Sequence, residues 1–446
     1  MKPPAIRPGI EYKGALLQDS SLRVNTAADS GFERNKLRRV VSAGVIGNVL
    51  EWYDFAIYGF VAPIIASQFF PSEDRAVSLL AAFGAFAVGF LMRPIGAAFF
   101  GHIGDKYGRA RALLASIAMM AVPTAAMGLL PTYADIGIAA PLGIVLMRML
   151  QGIAVGGEYT SSIVFLAEHA PPRRRGFIAS WSTFAATAGT MLGSAVGALL
   201  TSTLSNDALS SWGWRAAFIS GIAVAIVGFI LRRDLHSAPA GETIEAPLKT
   251  AIRKHRVPLL KVLALNIAPA ATYYTLFVYA ATWIADFTPL ARSVALELTT
   301  VCILTYLIAA PLAGWASDRF GRRRLLVIGL TGCLIGSVPL TSLMASGTLA
   351  GVAGGYVALV VLFAIYNASI PAAMCELFPH NVRVTAVSEG YNLAYAIFGG
   401  TAPAVAVWII STTGDPRAFA WYLALLTAVT LGIALTLRDR RLEPLP

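Results

Sequence analysis

Twelve apolar runs punctuate this chain, each long enough to cross a bilayer, and they leave it few ways to fold. A hydrocarbon core about 30 Å thick takes a helix of about 20 residues, and it forbids an open strand edge. The runs lie roughly at 40 to 66, 77 to 100, 111 to 130, 138 to 167, 177 to 204, 212 to 231, 259 to 286, 294 to 315, 325 to 346, 350 to 376, 384 to 412 and 418 to 437. The expected fold class is therefore all-α and polytopic, with twelve transmembrane helices. Hydrophobic residues make up 57% of the chain and charged ones 13%, with a mean hydropathy of +0.67, so a water-soluble surface cannot be built from it. A net charge of +11 would suit a nucleic-acid binder. Here the basic residues separate apolar runs, which excludes that class and no nucleic-acid partner is expected. Cys302, Cys333 and Cys375 lie in or beside apolar runs without metal or redox spacing, and they read as packing residues.

Residues 1 to 38 are too polar to form a core and are expected to be a disordered tail. No cleavable signal peptide is expected, because the first apolar run is too long and begins too far in. Basic residues are retained on the cytoplasmic side of a membrane. With the N-terminus inside, 29 of the 35 Lys and Arg fall on that side, leaving Arg75, Arg292 and Arg417 outside and Arg93, Arg148 and Arg215 within or at the ends of spans. Both termini are then cytoplasmic, with residues 438 to 446 a short tail. The longest internal polar segment, 232 to 258, divides the chain into halves at 39 to 231 and 259 to 437. Its charge suits attraction to anionic lipid.

The halves repeat one another. After span two comes Gly101-His-Ile-Gly-Asp105-Lys-Tyr-Gly108-Arg109, and after span eight comes Gly314-Trp-Ala-Ser-Asp318-Arg-Phe-Gly321-Arg322, 213 residues later. Span four ends in Glu168 with Arg175 seven residues on, and span ten ends in Glu376 with Arg383 seven residues on, an offset of 208. Two matched loops at nearly one offset argue for duplicated six-helix, pseudo-symmetric halves, a parallel repeat known in transporters. Such a loop can be a tight helix connection, with glycines allowing close approach and Asp capping a helix or pairing with Arg. It can also be a charge lock that breaks when the halves move, carried by Asp105, Arg109, Asp318, Arg322, Glu168, Arg175, Glu376 and Arg383.

From these loops the chain resembles the major facilitator superfamily over residues 40 to 437. Several segments resemble its metabolite:proton symporter branch: Gly47-Asn48-Val-Leu-Glu51-Trp52-Tyr53-Asp54-Phe55, Phe90-Leu-Met-Arg93-Pro94-Ile-Gly96, Gln151-Gly152-Ile-Ala-Val-Gly156-Gly157-Glu158-Tyr159, Trp212-Gly-Trp-Arg215 and Phe398-Gly-Gly400. The resemblance implies a bacterial inner-membrane carrier of organic acids such as citrate, 2-oxoglutarate and shikimate, or of zwitterions such as proline and glycine betaine, with protons.

Ionisable groups inside a bilayer are costly and mark candidate sites. Glu51 and Asp54 are three apart, hence on one helix face near the midplane. Two such carboxylates resist joint ionisation in low dielectric, which suits one of them to proton uptake and release. The alternative is a structural partner for a buried Arg. Glu158, lower in span four, suits a gate or proton release. Arg148 and Gln151 share a face of span four, beside Gly152, Gly156 and Gly157, which admit another helix closely. A guanidinium there can hold a carboxylate with two hydrogen bonds or pair with Asp54. Arg93 suits snorkelling or pairing with Asp105, Arg215 an interfacial anchor, and Glu389 either reading. Span seven, with Asn266, Thr272, Tyr273, Tyr274, Tyr279 and Trp283, is unusually polar for a lipid-facing helix, and Tyr273 and Tyr274 suit a substrate wall. Asn367, Tyr391, Asn392 and Tyr395 offer a second polar face. Gly189, Gly193 and Gly197 form a close-packing stripe in span five, where Ser194 replaces the proline of the superfamily's antiporter motif.

There is no phosphate-binding loop and no zinc-site motif, and the five histidines lie in loops, so neither an enzyme nor a cofactor is expected. The proton gradient is the expected energy source. The sequence thus points to a monomeric symporter of a small organic acid, with a zwitterionic osmolyte as the alternative. Protons and membrane lipids are its expected partners.

Overall fold

The computed structural model of the chain describes residues 48–49, 52–107, 109–232 and 247–446, and among these no strand occurs. Twelve helical spans follow one another, numbered here α1 (52–69), α2 (Arg75–Leu91, resuming as Arg93–Tyr107), α3 (Arg109–Leu129), α4 (Ala139–Val155, resuming as Glu158–Glu168), α5 (Arg175–Thr203), α6 (Trp214–Arg232), α7 (Arg256–Phe287), α8 (Arg292–Phe320), α9 (Arg322–Met344), α10 (Leu349–Asn367, resuming as Ile370–Cys375), α11 (His380–Thr413) and α12 (Phe419–Leu435). They match the twelve apolar runs. Eight are long and apolar enough by themselves to cross a membrane. Seven of these are 39 to 56% buried along their most apolar stretch, leaving faces such as those of Ile308 and Ile335 for lipid. Span α7 differs, at 83% buried, which accounts for its polar sequence: it lies inside the bundle.

The expected tail at 1 to 38 lies outside the described residues, as does most of the expected loop at 232 to 258. One part of that loop is corrected: Pro247–Lys254 is a helix packed on the start of α11. Its buried Ala251 and the run Arg253, Lys254 on the same short segment suit an interfacial helix.

The duplication extends to helix breaks. Span α4 breaks after Val155 at Gly156-Gly157, and α10 breaks after Asn367 at Ala368-Ser369, ahead of Pro371, 212 residues further on. Span α2 kinks at Met92, where Pro94 cannot donate to the helix ladder. Glycine then sets the close contacts. A β-carbon on Gly152 would fall on the Gly89 carbonyl, and one on Gly156 on the Arg93 carbonyl, so α2 and α4 touch backbone to backbone. In α5, a β-carbon on Gly189 would fall on the Val49 carbonyl just ahead of α1, and one on Gly193 would press on Ala56 of α1. Cys302, Cys333 and Cys375 are buried free thiols.

Candidate functional site

The two halves meet along α5 and α8 and along α2, α4, α7 and α11. At the end of the bundle carrying the Arg-rich loops, the matched motifs form an ion-pair network in which partners are exchanged between halves. Glu168 takes Arg383 at 2.5 Å and His380 at 2.9 Å. Glu376 takes Arg175 and Arg322, each at 2.9 Å. Asp318 pairs with Arg322 at 2.8 Å, and its two oxygens accept the backbone N–H groups of Gly176 and Phe177, both at 2.8 Å. Those N–H groups belong to the first turn of α5, so the motif of the second half caps a helix of the first. Gly314 makes room for this contact, since a β-carbon there would lie 2.8 Å from the Gly176 carbonyl. The chain's last residues bind the same cluster. Arg175 donates to the Glu443 carbonyl at 3.3 Å, and Arg383 to that of Pro446 at 2.6 Å.

Midway along the seam the contacts are aromatic and hydroxylic. Trp52 of α1 packs edge-on to Tyr159 and Tyr273, at 5.5 and 5.4 Å between ring centres, and stacks on Tyr274 at 6.3 Å. Tyr159 meets Tyr391, which stacks on Tyr395 at 4.0 Å. The hydroxyls of Tyr273 and Thr190 share a hydrogen bond of 2.7 Å, Thr160 donates to Ser388 at 3.0 Å, and Asn392 donates to the Gly156 carbonyl at 2.7 Å. Arg93, held at the kink of α2, is buried with its guanidinium carbon 6.0, 5.3 and 5.8 Å from the rings of Trp52, Phe90 and Tyr391. In α7 and α11 the helix opens into one wider turn, at Thr275–Tyr279 and Tyr395–Gly399, and such turns re-aim side chains.

A second polar compartment lies inside the first half. Arg148 donates to Gln151 at 2.8 Å, and Gln151 donates to Thr124 at 2.6 Å. The Asp54 carboxyl neighbours Thr124 and feels the charge of Arg148. The guanidinium carbon of Arg148 lies 3.7 Å from the Tyr58 ring centre, with Phe55 and Phe86 at 5.6 and 5.5 Å. Among the described residues, one Asp54 oxygen and the Arg148 Nε and Nη2 atoms have no hydrogen-bond partner. At the far end of the bundle the halves are tied again. Arg75 grips Asp286 with bonds of 2.7 and 3.3 Å, and Arg292 donates to the Phe60 carbonyl at 3.2 Å.

Two repeated bundles, tied at both ends around a polar seam, are an architecture that known proteins share. The family described as Sugar (and other) transporter matches residues 40–240 and 234–439. The chain is 33% identical over 426 residues to the Proline/betaine transporter of Salmonella typhimurium, covering 92% of this chain and 85% of that one. It belongs to this transporter family of the major facilitator superfamily. The Alpha-ketoglutarate permease of Escherichia coli is also 33% identical, over 428 residues, 95% of this chain and 99% of the permease. In fold it resembles a solved major facilitator proton:xylose symporter, with a TM-score of 0.75 and 17% identity over 93% of this chain and 98% of that one.

In this major facilitator chain, the residues expected to bind substrate separate into three places. Tyr273, Tyr274, Tyr391 and Asn392 come together at the seam. Arg148 and Gln151 stay in the compartment of the first half, behind Phe55, Tyr58 and Phe86. Asn367 donates to Tyr306 at 2.6 Å, a layer of rings behind Tyr273 within the second half. Of the expected coupling residues, Asp54 is buried, Glu158 is half-buried in the first turn after the α4 break, and Glu51 lies outside the described residues. The six lock residues from Asp318, Arg322, Glu168, Arg175, Glu376 and Arg383 meet. Asp105 and Arg109 stand at the equivalent turn between α2 and α3, with side chains outside the described residues. Trp52, Tyr159 and Arg93 were not expected at the seam. Their signal was present: Trp52 adjoins the Glu51 and Asp54 pair, Tyr159 adjoins Glu158, and Arg93 precedes a helix-kinking proline.

Proposed function

We propose that this chain is a proton-coupled symporter that imports a small zwitterionic osmolyte of the proline and betaine type by alternating access. It would sit in a bacterial inner membrane as a monomer, with the Arg-rich end and both termini in the cytoplasm and no cofactor beyond the proton gradient. One observation supports the coupling: Asp54 is buried in the first half, 3% exposed, with one oxygen unpartnered among the described residues and the charge of Arg148 nearby. Ionised, Asp54 draws on Arg148 through Thr124 and Gln151. Protonated, it releases that hold, and the first half can repack against its partner. Proton binding is thereby linked to which end of the seam opens. Glu158, at the α4 break and closer to the Arg-rich end, would pass the proton on.

The zwitterion is preferred because the rings at the seam, Trp52, Tyr273 and Tyr274 among them, offer faces to a substituted ammonium, and relatives named proline/betaine transporter match over most of the chain. The second reading is an organic acid such as citrate or another di- or tricarboxylate. It is favoured by the alpha-ketoglutarate permease match, which spans 99% of that protein. Both are tested by uptake into vesicles of labelled proline, betaine, 2-oxoglutarate and citrate, with and without an imposed proton gradient. Accumulation of zwitterions that collapses with a protonophore is the expected result. Accumulation of acids alone would transfer the claim to the second reading, and uptake indifferent to the gradient would remove proton coupling.

A further inference from the structure

Arg93 is a buried cation that, among the described residues, faces aromatic rings. It is 2% exposed, and its guanidinium lies among Trp52, Phe90 and Tyr391. A charge withdrawn from water into such a place is costly unless an anion and hydrogen bonds complete it. Five buried polar atoms of this neighbourhood also lack partners among the described residues: Trp52 Nε1, Arg93 Nε, the Tyr274 and Tyr391 hydroxyls and Asn392 Oδ1. They come from α1, α2, α7 and α11, thus from both halves. Native proteins leave few buried polar atoms unpaired, so a cluster of them along a moving seam marks a place that a ligand completes. Four of the five atoms can donate, which matches an acceptor ligand.

We propose that Arg93, rather than Arg148, clamps the substrate's carboxylate, with Trp52 Nε1 and the Tyr274 hydroxyl as supporting donors, while the faces of Trp52 and Tyr159 receive its ammonium. The local structure explains why Arg93 suits this. Pro94 kinks α2 at this point, and Gly156 lets α4 press on the Arg93 carbonyl, so the guanidinium is presented to the seam from a rigid support. Asn392 of α11 reaches the Gly156 carbonyl from the other half, so a carboxylate on Arg93 sits where closure of the halves is felt. Arg148 is walled off by Tyr58, Phe55 and Phe86 and bonded to Gln151, which leaves it to Asp54. This inference rests on the transporter reading above and names the site within it.

The test compares betaine with choline, which shares the trimethylammonium and lacks the carboxylate, by quenching of tryptophan fluorescence in the purified full-length protein. Wild type should prefer betaine by roughly 10- to 100-fold, the value of a charge-assisted bidentate pair. Arg93→Gln should erase that preference by weakening betaine alone, and Arg93→Lys, which keeps the charge but loses the fork, should fall between. If Arg93→Gln does not assemble, Arg93→Lys still decides: an unchanged betaine affinity and preference overturns the clamp. If wild type binds 2-oxoglutarate and neither ammonium compound, the zwitterion reading fails, and Arg93→Gln must then weaken 2-oxoglutarate for the clamp to stand. Binding of none of these carboxylates would overturn both.

Discussion

Asp318 uses one carboxylate for two tasks, pairing with Arg322 and capping α5 of the opposite half through Gly176 and Phe177. A cap lost to substitution costs about 1 kcal/mol, and a buried pair broken on one side costs roughly 3 to 5 kcal/mol. Asp318→Asn is therefore expected to favour the state open at the Arg-rich end, read as faster labelling of a cysteine placed at Ser180, beside Gly314. Equal labelling would deny Asp318 a part in closure. Asp54→Asn is expected to abolish proton-driven accumulation while substrate exchange across the membrane persists, and full accumulation would remove Asp54 from coupling. Individual residue types were readable in the sequence, because a charge in an apolar run has few reasons to be there. Their partners were not. Glu168 and Arg175 look like a local pair, yet Glu168 takes Arg383, because proximity along the chain says nothing about which helix end folds alongside. Arg93 suits snorkelling or pairing with Asp105 in the sequence, and its place at the seam is not legible there for the same reason: depth follows from span counting, whereas the direction it faces depends on the kink at Met92.

Helices were the most legible level, and their irregularities the least. Twelve apolar runs gave twelve spans, and the glycine stripe of α5 packs on α1 as its four-residue spacing implies. The wide turns in α7 and α11 carry no comparable signal, since inserting one residue into a helix depends on what the neighbouring spans need. They matter for the site. Tyr274 ends the regular part of α7 and Tyr395 begins the wide turn of α11, and Gly399 faces the Tyr274 ring with a β-carbon position 3.1 Å away. Gly399→Val is thus expected to displace the Tyr274 ring and weaken substrate binding at least several-fold, with the melting temperature lowered by only a few degrees. Unaltered binding would mean that the ring plays no part. Gly314→Val belongs to the same class at the Arg-rich end. Its side chain would meet Gly176 backbone across the seam, so it should hold that end apart and slow transport even though no charge is altered.

For the whole molecule, the repeat announced two equivalent halves but not their manner of docking. Reciprocal exchange of partners is what a two-fold relation produces: Glu168 with Arg383, and Glu376 with Arg175. The prediction at this scale is a rescue. Glu168→Arg and Arg383→Glu should each impair transport, and the combined variant should recover a substantial part of it, since Arg383 is buried and its charge needs a partner. Failure of the double variant to exceed either single one would show that the pair does not act as a unit. The same exchange has a consequence for how such a chain arose and how it survives damage. The pairs Glu168–Arg383 and Glu376–Arg175 and the Asp318 cap on α5 are made across the seam, as between two copies of one six-helix ancestor, so continuity of the backbone between the halves is a convenience of assembly. A protease site inserted between residues 233 and 246 and cut after insertion into the membrane should leave two polypeptides that travel together through purification.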